Sequence, residues 1–300
     1  MARRLSPAIT LTSGAAILGL ALSACGSSSL STPDAAPKAT ASQTVDPAIA
    51  AKLPAKIKAA GKIVVGTDAS YAPNEFLDAD GKTVKGMDVD LFNAVAQKFG
   101  VTAEFKPAKF DSIITGVQGG KYDIGVSSFT INPDRKKQVN MVSYFSAGTQ
   151  WAAAPSNPKK VDPNKPCGLK VAVQKGTTQE QDDMPAKVKD CAASGKPIDL
   201  QVYDGQDQAT AAVATGKAEA MLADSPVVAY AVKQSGGKIE AVGNVYDAAP
   251  YGYALPKADT AFAQAIADAL KATEASGAYK KALGNWGNEA GAITEFAVNP

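Results

Sequence analysis

From Lys62 onward, short β-branched runs alternate with amphipathic stretches of helical period. This alternation limits the fold more than any other feature of the chain. "KIVVGT" (62–67) reads as a strand. After it, apolar residues recur at Val89, Leu91, Phe92, Val95, Ala96 and Phe99, the spacing of one helix face, closed by Gly100. "VTAEFKP" is a strand, "DSIITGVQGG" a short helix with Asp111 as its N-cap, and "YDIGVSS" the next strand. Strands separated by helices form a parallel sheet covered on both faces. The same grammar restarts after the apolar segment near 144–154. Strands are expected at 169–174, "IDLQVY" and "AEAMLAD", with helices at 178–190, 206–214 and 226–234. It returns through a second apolar segment, 245–253, to a strand at 251–256 and a long helix capped by Asp259. The expected architecture is α/β and two-lobed, with the second lobe inserted into the first and two crossover segments joining them.

In open α/β sheets ligands bind outside the carboxyl ends of the strands. Two such lobes facing each other direct two sets of strand ends into one cleft. The chain contains no histidine, which excludes His-based triads, His metal sites and histidine pH switches. Lys and Arg number 31 against 29 Asp and Glu, and no basic cluster stands out, so nucleic acid is not an expected partner. No cofactor is called for. Asp88 and Asp90 in "VKGMDVDLF" lack the remainder of a calcium loop, so no metal is assigned; Asp88 is expected to cap the following helix.

The first segment has the layout of an export signal. "MARR" is basic, and "LTSGAAILGLAL" is an apolar run of signal-peptide length. "LSAC" follows, ending at Cys25, with Gly26 next. This resembles the lipobox of bacterial lipoproteins, which implies cleavage after residue 24 and a lipid on the Cys25 sulfur. Cleavage removes two basic residues and leaves 29 of each sign. Residues 26–45 are rich in Ser, Ala, Thr and Pro and cannot bury enough surface to offset ordering. The expected organisation is a signal peptide at 1–24 and lipidated Cys25 with a tether to residue 60. One lobe is then formed by 61–147 plus 250–300 and the inserted lobe by 148–249. The remaining cysteines, Cys167 and Cys191, are an even number in an exported chain and are expected to pair.

"GVSSFTINPDR" (125–135) brings hydroxyls, backbone N–H groups and one guanidinium to a strand end. "KGTTQE" sets Gly176, Thr177 and Thr178 at the start of a helix, a ready anion site. A free amino acid is a zwitterion. Its carboxylate suits the planar donors of Arg135, and its ammonium suits the carboxylate of Asp224 at the end of "AEAMLAD".

"VVGTDASYAPNEFLDADGKTVKGMDVDLFNAVAQKFG" resembles the opening of the family 3 bacterial solute-binding proteins, the polar amino-acid receptors of ABC importers. "GKYDIGVSSFTINPDRKKQVNMVSYF", "VAVQKGTTQE", "EAMLADSPVVAYAV" and the closing "YGYALPK…ADALKATEASGAYKKALGNWG" continue the likeness in order, over roughly 61–287. The resemblance implies a periplasmic-binding-protein-like fold of type II. It also implies a lipid-anchored monomer on the outer face of the bacterial cell membrane. Its partners would be an amino acid, an ABC permease and the permease's ATPase. By the same resemblance Arg135, Thr130 and Thr178 match carboxylate ligands, and Asp224 and Ser128 match groups near the ammonium. Tyr71 matches the aromatic cover, with Phe129 as an opposite wall. Ser127, Gly176 and Thr177 belong to the same loops. The usual phenylalanine after "YAP" is here Asn74, followed by Glu75. Asp68 and Glu75 favour a cationic or amide-bearing ligand, whereas Gln174 and Lys175 favour an acidic one, so the side-chain preference stays open. Alternatives are a dehydratase on the same fold, with Glu75 as its acid, and a sensor module.

Overall fold

The computed structural model describes residues 43–300. The signal segment, Cys25 and the tether to residue 42 lie outside the described residues. The folded body starts earlier than composition suggests. Two short helices, α1 (Pro47–Ala50) and α2 (Ala55–Ala60), precede the first strand. Asp46 caps α1 by accepting from the N–H groups of Ala48 and Ile49. Ile49, Leu53 and Ile57 are buried in the main core. The expected tether to residue 60 is corrected accordingly: three apolar side chains at helical spacing anchor this stretch.

Strand β1 (Lys62–Thr67) lies between β5 (Thr102–Pro107) and β6 (Ile124–Gly125), parallel to both. Between β1 and β5 come a small three-stranded sheet, β2 (Ser70–Tyr71), β3 (Glu75–Leu77) and β4 (Val84–Lys85), and helix α3 (Met87–Lys98). Helix α4 (Phe110–Gln118) joins β5 to β6, and α5 (Pro133–Gln138) leads into β7 (Val139–Ala153). The inserted part contains β8 (Lys170–Gln174), α6 (Met184–Ala193), β9 (Asp199–Tyr203), α7 (Gln206–Ala214), β10 (Ala220–Asp224) and α8 (Ser225–Gln234). Strand β11 (Glu240–Pro256) returns to the first lobe, followed by α9 (Thr260–Ala275) and α10 (Ala278–Gly284).

The crossovers are themselves strands. β7 and β11 pair antiparallel over nearly their whole length, so both lobes share one eight-stranded sheet in the order β5-β1-β6-β11-β7-β10-β8-β9. One end of the ribbon meets β6 at Ala254 and Gly125, and the other meets β10 from Thr149 to Ala153. Register shifts between Val242 and Tyr246, and between Tyr246 and Ala249, bend it in the middle. Gly148 lies at that bend, where a Cβ would stand 2.6 Å from the Tyr246 carbonyl oxygen.

Period-two alternation explains the layers. In β8, Val171 and Val173 face one core with Trp151 and Met184, while Ala172 faces the core under α7 and α8. In the first lobe, α3, α9 and α10 cover one face of the sheet around Phe92, Tyr253 and Leu270. Helix α4 covers the other, around Ile113 and Phe129. Cys167 and Cys191 form a disulfide, with Cα atoms 5.0 Å apart, which ties the approach to β8 to helix α6.

Candidate functional site

The carboxyl ends of strands from both lobes meet at a small cavity. Arg135 reaches it through local backbone chemistry. Asn132 is the N-cap of α5 and accepts from the Arg135 N–H at 2.9 Å, and Pro133 occupies the first turn. The guanidinium is buried. It donates to the Thr130 carbonyl at 2.8 Å and, across the lobes, to the Gly176 carbonyl at 2.9 Å. It lies 5.4 Å and 5.5 Å from the ring centroids of Phe110 and Phe129. Burial lowers its pKa to about 10, opposed by the charges of Asp224 and Asp182, so it stays cationic at neutral pH.

Asp224 ends β10 and is equally buried. It occupies the N-cap position of α8 but does not cap with its side chain. One oxygen accepts from the Tyr251 hydroxyl at 2.6 Å and the Tyr71 hydroxyl at 2.8 Å. The other accepts from Gln179 Nε2 at 2.8 Å. Burial raises its pKa, and the hydrogen bonds from Tyr251, Tyr71 and Gln179 and the charge of Arg135 pull it back. Arg135 and Asp224 both line the cavity, yet they form no ion pair with each other. Two opposite charges are thus held apart in one low-dielectric space, where each is worth far more than in water.

Between them, the hydroxyls of Thr130 and Thr178 have no hydrogen-bond partner among the described residues. Thr178 precedes a wide π-type turn, Gln179–Asp183, that runs into α6. Its N–H belongs to the open end of that helical run. Thr177 acts as a cap: its hydroxyl donates to the Gln174 carbonyl at 2.7 Å and accepts from the Glu180 N–H at 3.3 Å. Gly176 has φ +79° and accommodates Asp111, whose Cβ would be 3.0 Å from a Cβ at this position.

Of the residues singled out in the sequence, Tyr71, Ser128, Thr130, Arg135, Thr177, Thr178 and Asp224 line the cavity and Asp68 and Gly176 do not; Phe110 and Gln179, which were not singled out, also line it. Phe129 does not line it; its ring stacks behind Phe110 at 4.7 Å, so Phe110 is the wall and Phe129 its backing. Ser127 also sits behind the site, accepting from the Asp68 N–H at 2.9 Å and donating to Glu75 at 3.1 Å. Asp68 is buried and tied to Ser70, to the Phe110 N–H at 2.9 Å and to Gln174 Nε2 at 3.0 Å. Asp68, not Asp111, therefore satisfies the first N–H of α4. Asp111 instead pairs with Lys175 at 2.9 Å across the lobes. Asp88 is likewise not a cap. Gly86 holds that position, and Asp88 is buried against Ser128 and Tyr144. Glu75 is fully buried beneath Ser127 and Ser128 and does not line the cavity, which removes it as an acid for chemistry there. Gln179 had a signal, since it continues "KGTTQE"; Phe110 and Tyr251 had none beyond an apolar strand or helix position.

Residues 63–289 match the model of the bacterial extracellular solute-binding proteins, family 3. The arginine-binding protein ArgT of Corynebacterium glutamicum is 38% identical over 256 residues, covering 84% of this chain and 83% of that protein. A solved structure of an ancestral arginine-binding protein bound to arginine is 34% identical, with TM-score 0.69, covering 75% of this chain and 98% of that one. The ancestral amino acid-binding protein AncCDT-1, a precursor of cyclohexadienyl dehydratase, is 34% identical with TM-score 0.68, covering 77% and 97%. All three are named as binding proteins.

Proposed function

The chain belongs to the bacterial extracellular solute-binding proteins, family 3, and from that membership we propose that it binds a free α-amino acid between its lobes and delivers it to an ABC importer. One observation carries the reading: a buried guanidinium and a buried carboxylate face one small cavity without neutralising each other. A zwitterion satisfies both. Arg135, with the Thr130 and Thr178 hydroxyls, takes the carboxylate, and Asp224 takes the ammonium beside Ser128. Tyr71 and Phe110 flank the ligand. The binding residues come from one chain, so a monomer suffices.

Asp68 and Gln174 lie buried behind the cavity lining, and a cationic side chain extending beyond that lining would meet them. Gln174 donates to Asp68, and its own Oε1 is buried without a donor from the protein. A guanidinium or ammonium supplies donors to both. Lys175, the group that would favour an acidic ligand, is engaged with Asp111. The 38% identical relative is named as an arginine-binding protein. Transport rather than catalysis agrees with the relatives' names and with the burial of Glu75 away from the cavity.

Among the described residues no helix is long and apolar enough to cross a membrane. The reading of a lipid on Cys25, holding the chain at the outer face of the cell membrane, rests on the "LSAC" motif. A disulfide in the inserted lobe is in keeping with that oxidising side.

A thermal-shift screen against the twenty amino acids tests the reading. A ligand that binds only the native state stabilises it by about 2.7 kcal/mol at a hundredfold excess over Kd. Arginine is expected to give the largest shift. No shift with any amino acid would overturn the proposal.

A further inference from the structure

Two carboxyl groups, Glu75 on β3 and Asp88 on α3, lie fully buried beneath the cavity. Both reach Ser128. Its hydroxyl oxygen is 3.1 Å from Glu75 Oε2 and 3.3 Å from Asp88 Oδ2, and its N–H donates to Asp88 Oδ2 at 3.1 Å. Asn74 donates to the same hydroxyl at 3.0 Å, and Asn288 steadies Asn74 by donating to its Oδ1 at 3.2 Å. Ser128 has φ +50°, a left-handed conformation that is unfavourable for a residue with a Cβ and persists only when its surroundings impose it. With its N–H and hydroxyl both engaged, Ser128 has only its carbonyl left to offer the cavity that it lines.

The surroundings allow one charge, not two. Asp68, Tyr71, Tyr144 and Tyr253 are the other titratable groups facing the pair. Tyr144 donates to Asp88 Oδ2 at 2.5 Å. Among the described residues no lysine or arginine forms an ion pair with either carboxyl. Asp88 Oδ1 is buried with no donor as long as both groups are ionised. Glu75 Oε2 and Asp88 Oδ2 both meet the one Ser128 hydroxyl oxygen, at 3.1 Å and 3.3 Å, which sets the two carboxyls side by side in the same dry space. Two adjacent buried carboxylates cannot both ionise without a large penalty.

We propose that Glu75 and Asp88 share one proton at neutral pH and, as an acid–carboxylate pair, are the positioning element that locks Ser128 in its left-handed conformation at the floor of the ligand cavity. Burial and the neighbouring charge of Asp88 keep Glu75 well above the carboxylate range, in line with this assignment. The consequence for binding rests on the amino-acid reading above; the shared proton and the locked serine do not.

Infrared spectroscopy and amide NMR of the ligand-free chain at pH 7 test the pair. The wild type is expected to show a protonated-carboxyl stretch that disappears in Glu75→Gln. The Ser128 amide signal is expected to keep its position in Glu75→Gln and to move in Glu75→Leu. Calorimetry with arginine is the second arm. Glu75→Gln, which mimics the protonated acid, should stay within about threefold of wild type, whereas Glu75→Leu should bind at least about tenfold more weakly. Absence of the acid band in the wild type would overturn the shared proton, whatever the ligand. An unmoved Ser128 signal in folded Glu75→Leu would overturn the positioning role. Should the wild type bind no amino acid, the functional reading fails while both spectroscopic arms still decide this one. If Glu75→Leu does not fold, Asp88→Asn replaces it: the Ser128 signal must move there too, because its acceptor changes.

Discussion

Tyr71 and Asp224, 153 positions apart, bind each other twice across the cleft. The tyrosine hydroxyl donates to Asp224 Oδ2 at 2.8 Å and sits 3.3 Å from the Asp224 N–H as its acceptor. Among the described residues, every hydrogen-bond donor to the Asp224 side chain is neutral. Its charge is therefore stabilised but not cancelled, and the nearest compensating charge is Arg135 on the far side of the cavity. A ligand carrying both charges completes the circuit and gains contacts from both lobes. Such a ligand favours the closed arrangement through differential affinity.

Removal of either charge should cost binding more than folding. Truncating one partner of a desolvated charged pair costs about 2–5 kcal/mol. Arg135→Ala and Asp224→Ala should each weaken amino-acid binding at least ~30-fold, since 1.4 kcal/mol is tenfold. The loss should be the same for any side chain. Calorimetry reads the loss, and circular dichroism reads the fold. Near-native affinity in a folded variant would remove that residue from the site.

Tyr251 gives a subtler test, because it touches Asp224 from within the ribbon. Tyr251→Phe deletes the 2.6 Å donor to Asp224 and leaves the ring in place. One lost hydrogen bond to a charged group should weaken binding about tenfold or somewhat more. The Asp224 pKa should rise further, so the affinity of the variant should fall earlier than wild type as pH is lowered. Matching pH profiles would count against this.

Glu75 predicts an unusual pH dependence of stability. Its folded pKa is raised above the unfolded value near 4.5, chiefly by burial and then by the charge of Asp88. Between those two values the folded state binds more protons than the unfolded chain. The stabilisation is fully present below pH 4.5 and declines as pH rises towards the folded pKa. Glu75→Gln cannot lose the proton. Its melting temperature should match or exceed that of wild type at pH 8, and the difference should shrink towards pH 4.5. A gap that widens on acidification would refute the sign.

The Cys167–Cys191 bridge links residues 24 apart in sequence. In the chain-entropy model a loop of this size contributes about 3 kcal/mol. Reduction, or Cys191→Ser, should lower the denaturant midpoint with little change in ligand stoichiometry, because neither sulfur is near the cavity lining. Equal midpoints with and without reductant would contradict the estimate.

Cys25→Ala should release the protein from membranes or leave it unprocessed. Fractionation with lipid labelling checks this. A lipid-labelled mature species in the variant would defeat the anchoring proposal.

Much of the fold was legible because its signals are local. Strand β1 spans 62–67 and α7 spans 206–214, as periodicity alone predicts, β5 spans 102–107 within the expected 101–107, and Asp259 caps α9 through the Phe262 N–H. Period, cap and turn chemistry act within a few residues and can be read from a string. The charged poles of the site, Arg135 and Asp224, were legible for a related reason: each ends or follows a strand whose carboxyl end must face the cleft. What the string could not show was which polar groups would meet once buried. Asp88 looked like a helix cap, and Asp111 looked like another. Packing instead placed Asp88 against Glu75 and Ser128, and gave the N–H of Phe110 to Asp68, 42 positions away. The crossovers looked like connectors, yet they pair with each other as β7 and β11 and fuse both lobes into one sheet. Hydrogen-bond partners of buried groups are decided by three-dimensional adjacency, where an unsatisfied donor or acceptor costs most, and sequence distance carries no information about that adjacency.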